Sequence, residues 1–334
     1  MLMKQNINYI GSKYSLLDFI YEKINLSVDN LPEKVFCDIF SGTNIVGIFF
    51  KDKVKSVISN DIEYYSYILA KNSFNNTYIE YENLIKELNS LPGISGYIFN
   101  YYSENGNSNR LYFSEENGKK IDAIRIKIEE WKNDITEEVY YALLTSLIEA
   151  TDKVANTASI YGAYLKNIKK TARKTLNLKV SNNINIIDEQ INYCYNEDSN
   201  KLIKNIKGDI LYIDPPYNHR QYGSNYHILN TISKYDFSVE PKGIVGLMDY
   251  NKSKYCYKDA KNVFKELIEN ANFKHIFISY SSEGILKEKE ITDILSCYGT
   301  VIQYNKVYKT FKSDSNRDNK SLNVTEFLFH LLKS

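Results

Sequence analysis

Asp209–Leu229 reads DILYIDPPYNHRQYGSNYHIL, and the reading of this stretch decides the fold. Residues 210–213, ILYI, are four large apolar or aromatic side chains with no turn former among them, the pattern of a buried strand. The strand must stop at Pro215 and Pro216, because neither proline has an N–H for a ladder and each fixes its own φ. The chain has five prolines in all, so two together at a strand end are a specific feature. Asp214 and Tyr217 are thereby held on a stiff edge at the C-terminal end of a strand, where open α/β sheets bind ligands.

Upstream, KVFCD (34–38) is a short apolar strand that runs into the glycine-containing turn and helix IFSGTNIVGIFF. A second strand, SVISND (56–61), ends at Asp61 and leads into the helical pattern IEYYSYILAKNSF. A strand, a glycine turn, a helix and a strand ending in an acid roughly twenty residues on form the first half of a Rossmann-like unit. From about residue 75 to 200 the pattern changes to polar and mostly helical. Within that stretch ITEEVYYALLTSLIEATDK (135–153) places Val139, Leu143, Leu144, Leu147 and Ile148 on one helix face, with acids in its first turn. The α/β pattern resumes at Ile210. It continues through DAKNVFKELIENA, the strand HIFISYS, the helix EKEITDILSCYG and two closing strands, TVIQYNKVYKTF and VTEFLFHLL, joined by KSDSNRDNKS. The expected architecture is a Rossmann-like, mostly parallel sheet domain (1–74 and 195–334) with a mainly helical insertion at 75–194.

Bulk properties narrow the function. A net charge of +1 over 334 residues gives no global bias toward polyanions, so a nucleic-acid surface would have to be local. Cys37, Cys194, Cys256 and Cys297 are far apart with no CxxC pair, and the four histidines lack metal-ligand spacing, so no metal site is expected. The opening MLMKQNINYIGSK has no apolar core of signal-peptide type, and runs such as IVGIFF are too short to span a bilayer. A cytoplasmic protein that does not act in a membrane is expected. The thirty tyrosines are read as compositional bias.

The chemistry lies in two places. Gly42 lets backbone approach a bound group closely, there is no Gly-Lys-Ser/Thr for a triphosphate, and Asp61 is placed to accept from a ribose. Together they favour a cofactor containing adenosine. The full GxGxxG of a dehydrogenase is absent. At Asp214–Tyr217, a carboxylate and the rigidly held Pro215 carbonyl could both accept N–H hydrogens of a nucleobase exocyclic amine. That would draw the nitrogen toward tetrahedral geometry and release its lone pair from the ring, with no reorganisation of the acceptors. Tyr217 offers a face for a base turned out of its stack. The stretch from Lys166 through Lys169, Lys170 and Arg173 to Lys174 is basic enough to touch phosphates, which position a protein without specifying sequence. Arg220, Tyr222, Tyr226 and His227 follow the catalytic loop closely enough to border a base pocket.

DPPY (214–217), with DIFSGTN (38–44) upstream and NYIGSKYSLL (8–17) at the start, resembles the DPPY amino-methyltransferases of DNA. The subgroup is the one with cofactor motifs first, then target recognition, then the catalytic motif, as in deoxyadenosine methyltransferases of the Dam type and type II modification enzymes. YFSEENGKKIDAIR (112–125), residues 152–170, NHRQYGSNYH (218–227) and ISYSSEGIL (278–286) also look like that subgroup, so the resemblance covers nearly the whole chain.

What the resemblance implies is S-adenosyl-L-methionine-dependent methyl transfer to adenine N6 in double-stranded DNA, with the insertion as the target-recognition region. A restriction endonuclease acting on the same site is the implied companion, and no oligomeric state follows. Tyr9, Gly11, Ser12 and Lys13 of YIGSK would help hold the cofactor, where Dam-type enzymes have KWAGGK. Asp38, Phe40, Ser41, Gly42, Thr43 and Asn44 would line its methionine end. Asp61 and Ile62 would take the ribose, and Asp198 would read the adenine. Asp214, Pro215, Pro216 and Tyr217 would form the catalytic loop. Lys153, Asn156 and Tyr161 would join the basic stretch at the DNA. The sequence departs from the usual FxGxG at Asn44, which stands at the second glycine and which, as an asparagine, tolerates positive φ. A cytosine-N4 or RNA adenine substrate, and a catalytically silent DNA-binding subunit, stay open as alternatives.

Overall fold

The computed structural model describes residues 7–75, 81–181, 190–236, 238–309 and 323–334. Its backbone is a mixed α/β structure whose described residues contain one seven-stranded sheet. The strands are β1 (Val35–Asp38), β2 (Ser56–Asn60), β3 (Tyr193–Tyr195), β4 (Lys207–Ile213), β5 (Asn272–Ser281), β6 (Gly299–Lys309) and β7 (Asn323–Lys333), in the order β3-β2-β1-β4-β5-β7-β6. β1 to β5 run parallel, whereas β7 is antiparallel to both β5 and β6. The expected fold class is therefore realised. The order reverses between β1 and β4, so the C-terminal ends of those two strands flank the switch point at which such sheets open a crevice. Asp38 closes β1 and Asp214 follows β4 directly.

The chain divides into two compact units. The sheet unit comprises Ser12–Ile62, Glu189–Gln221 and Asn251–Ser334, and the helical unit Met1–Gly11, Glu63–Asp188 and Tyr222–Tyr250. In the sheet unit, alternation along each strand sends Cys37, Ile58, Leu211, Ile213, Ile276, Ile278, Phe327 and Phe329 into one core, together with Phe264 and Leu267 of the helix Ala260–Asn270 and Ile291 and Leu295 of the helix Glu288–Ser296. On the opposite face Phe36 stacks against Phe50 of the helix Ile45–Phe50, centroids 4.3 Å apart, and against Tyr212. Both faces of the parallel strands are thus covered, which is why ILYI reads as a continuous apolar run.

The helical unit is built on Glu137–Val154. Its predicted face, Val139, Leu143, Leu144, Leu147 and Ile148, is buried, and the Thr136 side chain caps the N-terminus by accepting from the Val139 N–H. The buried Asp122 carboxylate accepts from the N–H groups of Gly96, Ile98 and Phe99 and from the Tyr235 hydroxyl. One acid thereby ties the start of the helix Tyr97–Tyr102 to the end of His227–Lys234.

The compact units divide differently from the sequence boundaries. The helix Tyr64–Ser73 and residues 222–250 fall in the helical unit, because Tyr65, Ile68 and Leu69, with Ile228, Leu229 and Ile232, join the core that contains Leu143 and Leu147. β3 ends at Tyr195 and belongs to the sheet, where it pairs with β2. The loop KSDSNRDNKS lies outside the described residues. No helix among the described residues is long and apolar enough to cross a membrane.

Candidate active site

The end of β4 is locked as its sequence demands. Past Ile213 the two prolines stop the ladder, and the Tyr217 carbonyl accepts from the Ile285 N–H at 2.8 Å, pinning the loop from its far side. Asp214 Oδ1 lies 2.8 Å from Lys13 Nζ, and that ammonium is 3.4 Å from Glu326 Oε1. Lys13 is 4% exposed and Glu326 2%. Glu326 also accepts from the Ser279 hydroxyl at 2.6 Å. The Lys13 ammonium stands 5.9 Å from the centroid of the Tyr217 ring, which packs edge-on against Tyr280.

The second wall of the site is the turn after β1. Asp38 is 1% exposed, and its Oδ1 has no hydrogen-bond partner among the described residues. The Ser41 hydroxyl is likewise buried without one. Gly42 (φ 52°) and Asn44 (φ 60°) both adopt the left-handed conformation, so the chain coils tightly enough for the Gly42 N–H to donate to Asp61 Oδ2 at 2.8 Å. Asn44 is buried and its Oδ1 accepts from the Ser59 hydroxyl at 2.7 Å. A Cβ on Gly47 would sit 2.3 Å from that same oxygen, so the glycine one turn into the helix leaves room for the asparagine. Thr43 and Ile62 are half-buried in this turn and at the close of the β2 loop. Phe40 packs edge-on against Tyr255.

These groups set one another's charge. Burial lifts Asp214 to about 6, with Glu326 repulsion adding to the rise and Lys13 opposing it. Burial works against the Lys13 charge, but Asp214 and Glu326 more than compensate, so the ammonium holds its proton well above the ordinary lysine range. Asp38 is pushed well up by burial and by repulsion from Asp214 and Asp61. The site is an acid-rich end of the sheet with the buried Lys13 ammonium among the acids.

Asp198, expected to read the adenine, stands at the start of a short helix. Its Oδ1 accepts from the N–H groups of Asn200 and Lys201 as the N-cap of the short helix Ser199–Leu202. Asn60 makes the link between strand ends here, donating to the carbonyls of Ile39 and Glu197 and accepting from the Glu197 N–H.

In the helical unit, Tyr9 stacks on Tyr226 with centroids 4.7 Å apart and leans on Tyr222. The Ile10 N–H donates to the Tyr226 hydroxyl at 2.8 Å, and the Tyr222 hydroxyl donates to the Ile10 carbonyl at 3.1 Å. Gly11 follows at φ 78°. Of the YIGSK residues, Tyr9 and Gly11 therefore belong to this unit, and Ser12 and Lys13 to the sheet unit.

Four residues expected at the DNA are corrected to interior roles. Tyr226 is fully buried and holds Ile10. His227 is 1% exposed, and its Nε2 donates to the Tyr161 carbonyl; burial pulls its pKa down to about 4, so it is neutral at pH 7. Tyr161 is buried and donates to Asp152. Asn156 is buried, donating to the carbonyls of Leu111 and Leu165 and accepting from the Lys169 N–H. Two of the cations are engaged as well: Lys169 Nζ donates to the Thr157 carbonyl, and Arg173 pairs in a fork with Glu104. Lys153, Lys166 and Lys170 are exposed in this unit, and Arg220 in the sheet unit. Sequence reasoning missed Glu326 and Ser279. The available signal was a lone acid inside the apolar strand VTEFLFHLL.

A family model described as D12 class N6 adenine-specific DNA methyltransferase matches residues 9–294. Type II methyltransferase M.NlaIII of Neisseria lactamica is 48% identical, with 98% of this chain aligned to 99% of that protein. Type II methyltransferase M.FokI of Planomicrobium okeanokoites is 43% identical over 98% of this chain, which spans 53% of that longer protein. Type II methyltransferase M.CviAII of Paramecium bursaria Chlorella virus 1 is 37% identical over 97% of each chain.

Proposed function

The chain belongs to the D12 class of N6 adenine-specific DNA methyltransferases, enzymes of DNA modification that use S-adenosyl-L-methionine, and on that premise we propose that Asp214–Tyr217 activates the target amine. Bound S-adenosyl-L-methionine supplies an electrophilic methyl group. The residues present suit it: Asp38 Oδ1 is a buried acceptor without a described partner, a match for the ammonium of an amino-acid end. Asp61, oriented by the Gly42 N–H, offers acceptors for ribose hydroxyls.

Asp214 and the Pro215 carbonyl accept the two N–H hydrogens of adenine N6, and Tyr217 stacks the flipped base. Flipping costs a few kcal/mol, offset by that stacking and those hydrogen bonds. Because both acceptors are fixed before the base arrives, they stabilise the developing tetrahedral amine without reorganising. The reaction is then mainly a matter of alignment, and no covalent enzyme intermediate is involved. An ionised Asp214 is required, so the rate falls as pH drops below about 6. The helical unit serves as the target-recognition region, with Lys153, Lys166, Lys170 and Arg220 on phosphates. A restriction endonuclease cutting the same site is the expected companion.

The observation that carries this reading is the half-buried carboxylate of Asp214, held at the proline-locked end of β4 and ion-paired with the buried Lys13. Asp214→Ala should lower single-turnover methylation of DNA by at least ~10²-fold, the order found when a preorganised polar group is removed. Label from methyl-labelled cofactor should appear in N6-methyldeoxyadenosine. An unchanged rate in the variant would remove the assignment.

A further inference from the structure

Glu326 sits inside a strand of the sheet where a carboxylate has no structural reason to be. It faces Ser281 across the β5–β7 ladder, its neighbours Phe327 and Leu328 are buried, and an ionised acid there is costly unless paired. Two of its contacts lead back to the active end of the sheet: the Ser279 hydroxyl at 2.6 Å and Lys13 Nζ at 3.4 Å. The second contact is longer than the 2.8 Å contact of the same ammonium with Asp214. One cation is thus shared unequally by two carboxylates, tightly by the half-buried Asp214 and loosely by the buried Glu326.

That inequality raises a problem for the proposed chemistry. The substrate amine needs acceptor capacity on Asp214, and Lys13 already occupies Oδ1 of that carboxylate. An ammonium that stayed on that oxygen would compete with the incoming N–H donors. We propose that Glu326 is a positioning residue that takes over the Lys13 ammonium when the base arrives, closing the 3.4 Å gap and releasing Asp214 Oδ1 to the substrate. Ser279 fixes the Glu326 carboxylate so that it waits in place. The transfer breaks no covalent bond and moves no proton. The inference rests on Asp214 being the acceptor of the amine.

The charged and titratable groups around Asp214 are Lys13 before the first helix, Asp38 on β1, Tyr212 on β4, Tyr217 in the loop and Glu326 on β7. Among them Glu326 raises the Asp214 pKa by repulsion. Removing that charge should therefore move the acid limb of activity to lower pH, even as the rate at the plateau falls.

The test compares wild type, Glu326→Gln, Lys13→Gln and the double variant in single-turnover methylation from pH 5 to 8, with cofactor affinity and thermal melting measured alongside. The expected result for Glu326→Gln is a plateau rate down about tenfold, the order for losing a charged hydrogen-bond partner. Cofactor affinity should hold, and the acid limb should shift downward. The double variant should be little slower than Lys13→Gln alone, since Glu326 acts through Lys13. A rate loss with the acid limb unmoved, or fully additive losses, would mean a merely structural role and overturn the proposal. Should Glu326→Gln not fold, Glu326→Asp keeps the charge but draws it away from Lys13, and an unchanged rate there would overturn it equally. Asp214→Asn separates the two readings. If it stays active, the site assignment itself fails, whereas an inactive Asp214→Asn beside an unaffected Glu326→Gln sinks this inference alone.

Discussion

Replacing Lys13 with Met removes a cation buried between two acids, and the consequence should depend on pH in a defined way. Breaking a buried ion pair by deleting one partner destabilises by roughly 3–5 kcal/mol, because the remaining charge is left in low dielectric. Here two carboxylates are left, Asp214 and Glu326, and their repulsion falls on the same small volume. Relief is available by taking up a proton. In the wild type Asp214 titrates near 6, so above pH 7 folding takes up almost no proton at that carboxyl. In Lys13→Met the counter-charge that holds Asp214 down is gone, and its folded pKa must rise further above the unfolded value.

A carboxyl with a raised folded pKa is most favourable to the fold at low pH, and that contribution is lost as pH rises through the folded pKa. As pH is lowered from 8, the variant should therefore gain up to about 1.4 kcal/mol per pH unit more stability than the wild type. Its deficit is largest at pH 8 and shrinks toward pH 6. Urea unfolding of both proteins at pH 8, 7 and 6, followed by tyrosine fluorescence and far-ultraviolet circular dichroism, measures this directly. A deficit that is the same at all three values, or one below about 1 kcal/mol at pH 8, refutes the picture of a charge-balanced buried cluster.

Asn44→Ala should destabilise the protein by about 1–3 kcal/mol and weaken cofactor binding. It loses the Ser59 hydrogen bond and puts an alanine at φ 60°, whereas Asn44→Gly keeps the backbone and should recover part of the loss, as calorimetry and cofactor titration can read. Lys166→Ala and Lys170→Ala should each weaken DNA binding about evenly across sequences and flatten the salt dependence by roughly one unit of slope. Arg173→Ala should flatten it less, because Glu104 already neutralises that guanidinium; equal slopes for all three would contradict the exposed-cation reading.

Much of the site was legible because its determinants are local. Two prolines end a strand wherever the chain places them, and Asp214 follows from that alone. Gly42 and Asn44 announce a left-handed turn through their own torsional freedom, and both adopt it. The face of Glu137–Val154 follows from a 3.6-residue period. What local pattern did not carry was which distant segments bury which side chains in the helical unit. Tyr226 and His227 stand next to the catalytic loop in sequence, where an aromatic and an imidazole suggest a base pocket. The helix His227–Lys234 instead turns its apolar side into the helical core and takes both residues inside.

The sequence by itself determined the strand–turn–helix alternation, the end of β4, the acid that ends β1 and the family to which these motifs belong, since each depends on propensity and spacing within a few residues. Only the tertiary structure decided that β7 enters antiparallel between β5 and β6, and that Glu326, bonded by the Ser279 hydroxyl, thereby reaches the ammonium of Lys13 beside Asp214. No periodicity couples positions that far apart in the chain. The physical reason is that a sheet's register is fixed by hydrogen-bond pairing and burial summed over whole strands, and the charge of one buried lysine is then shared among the acids that this pairing brings to it.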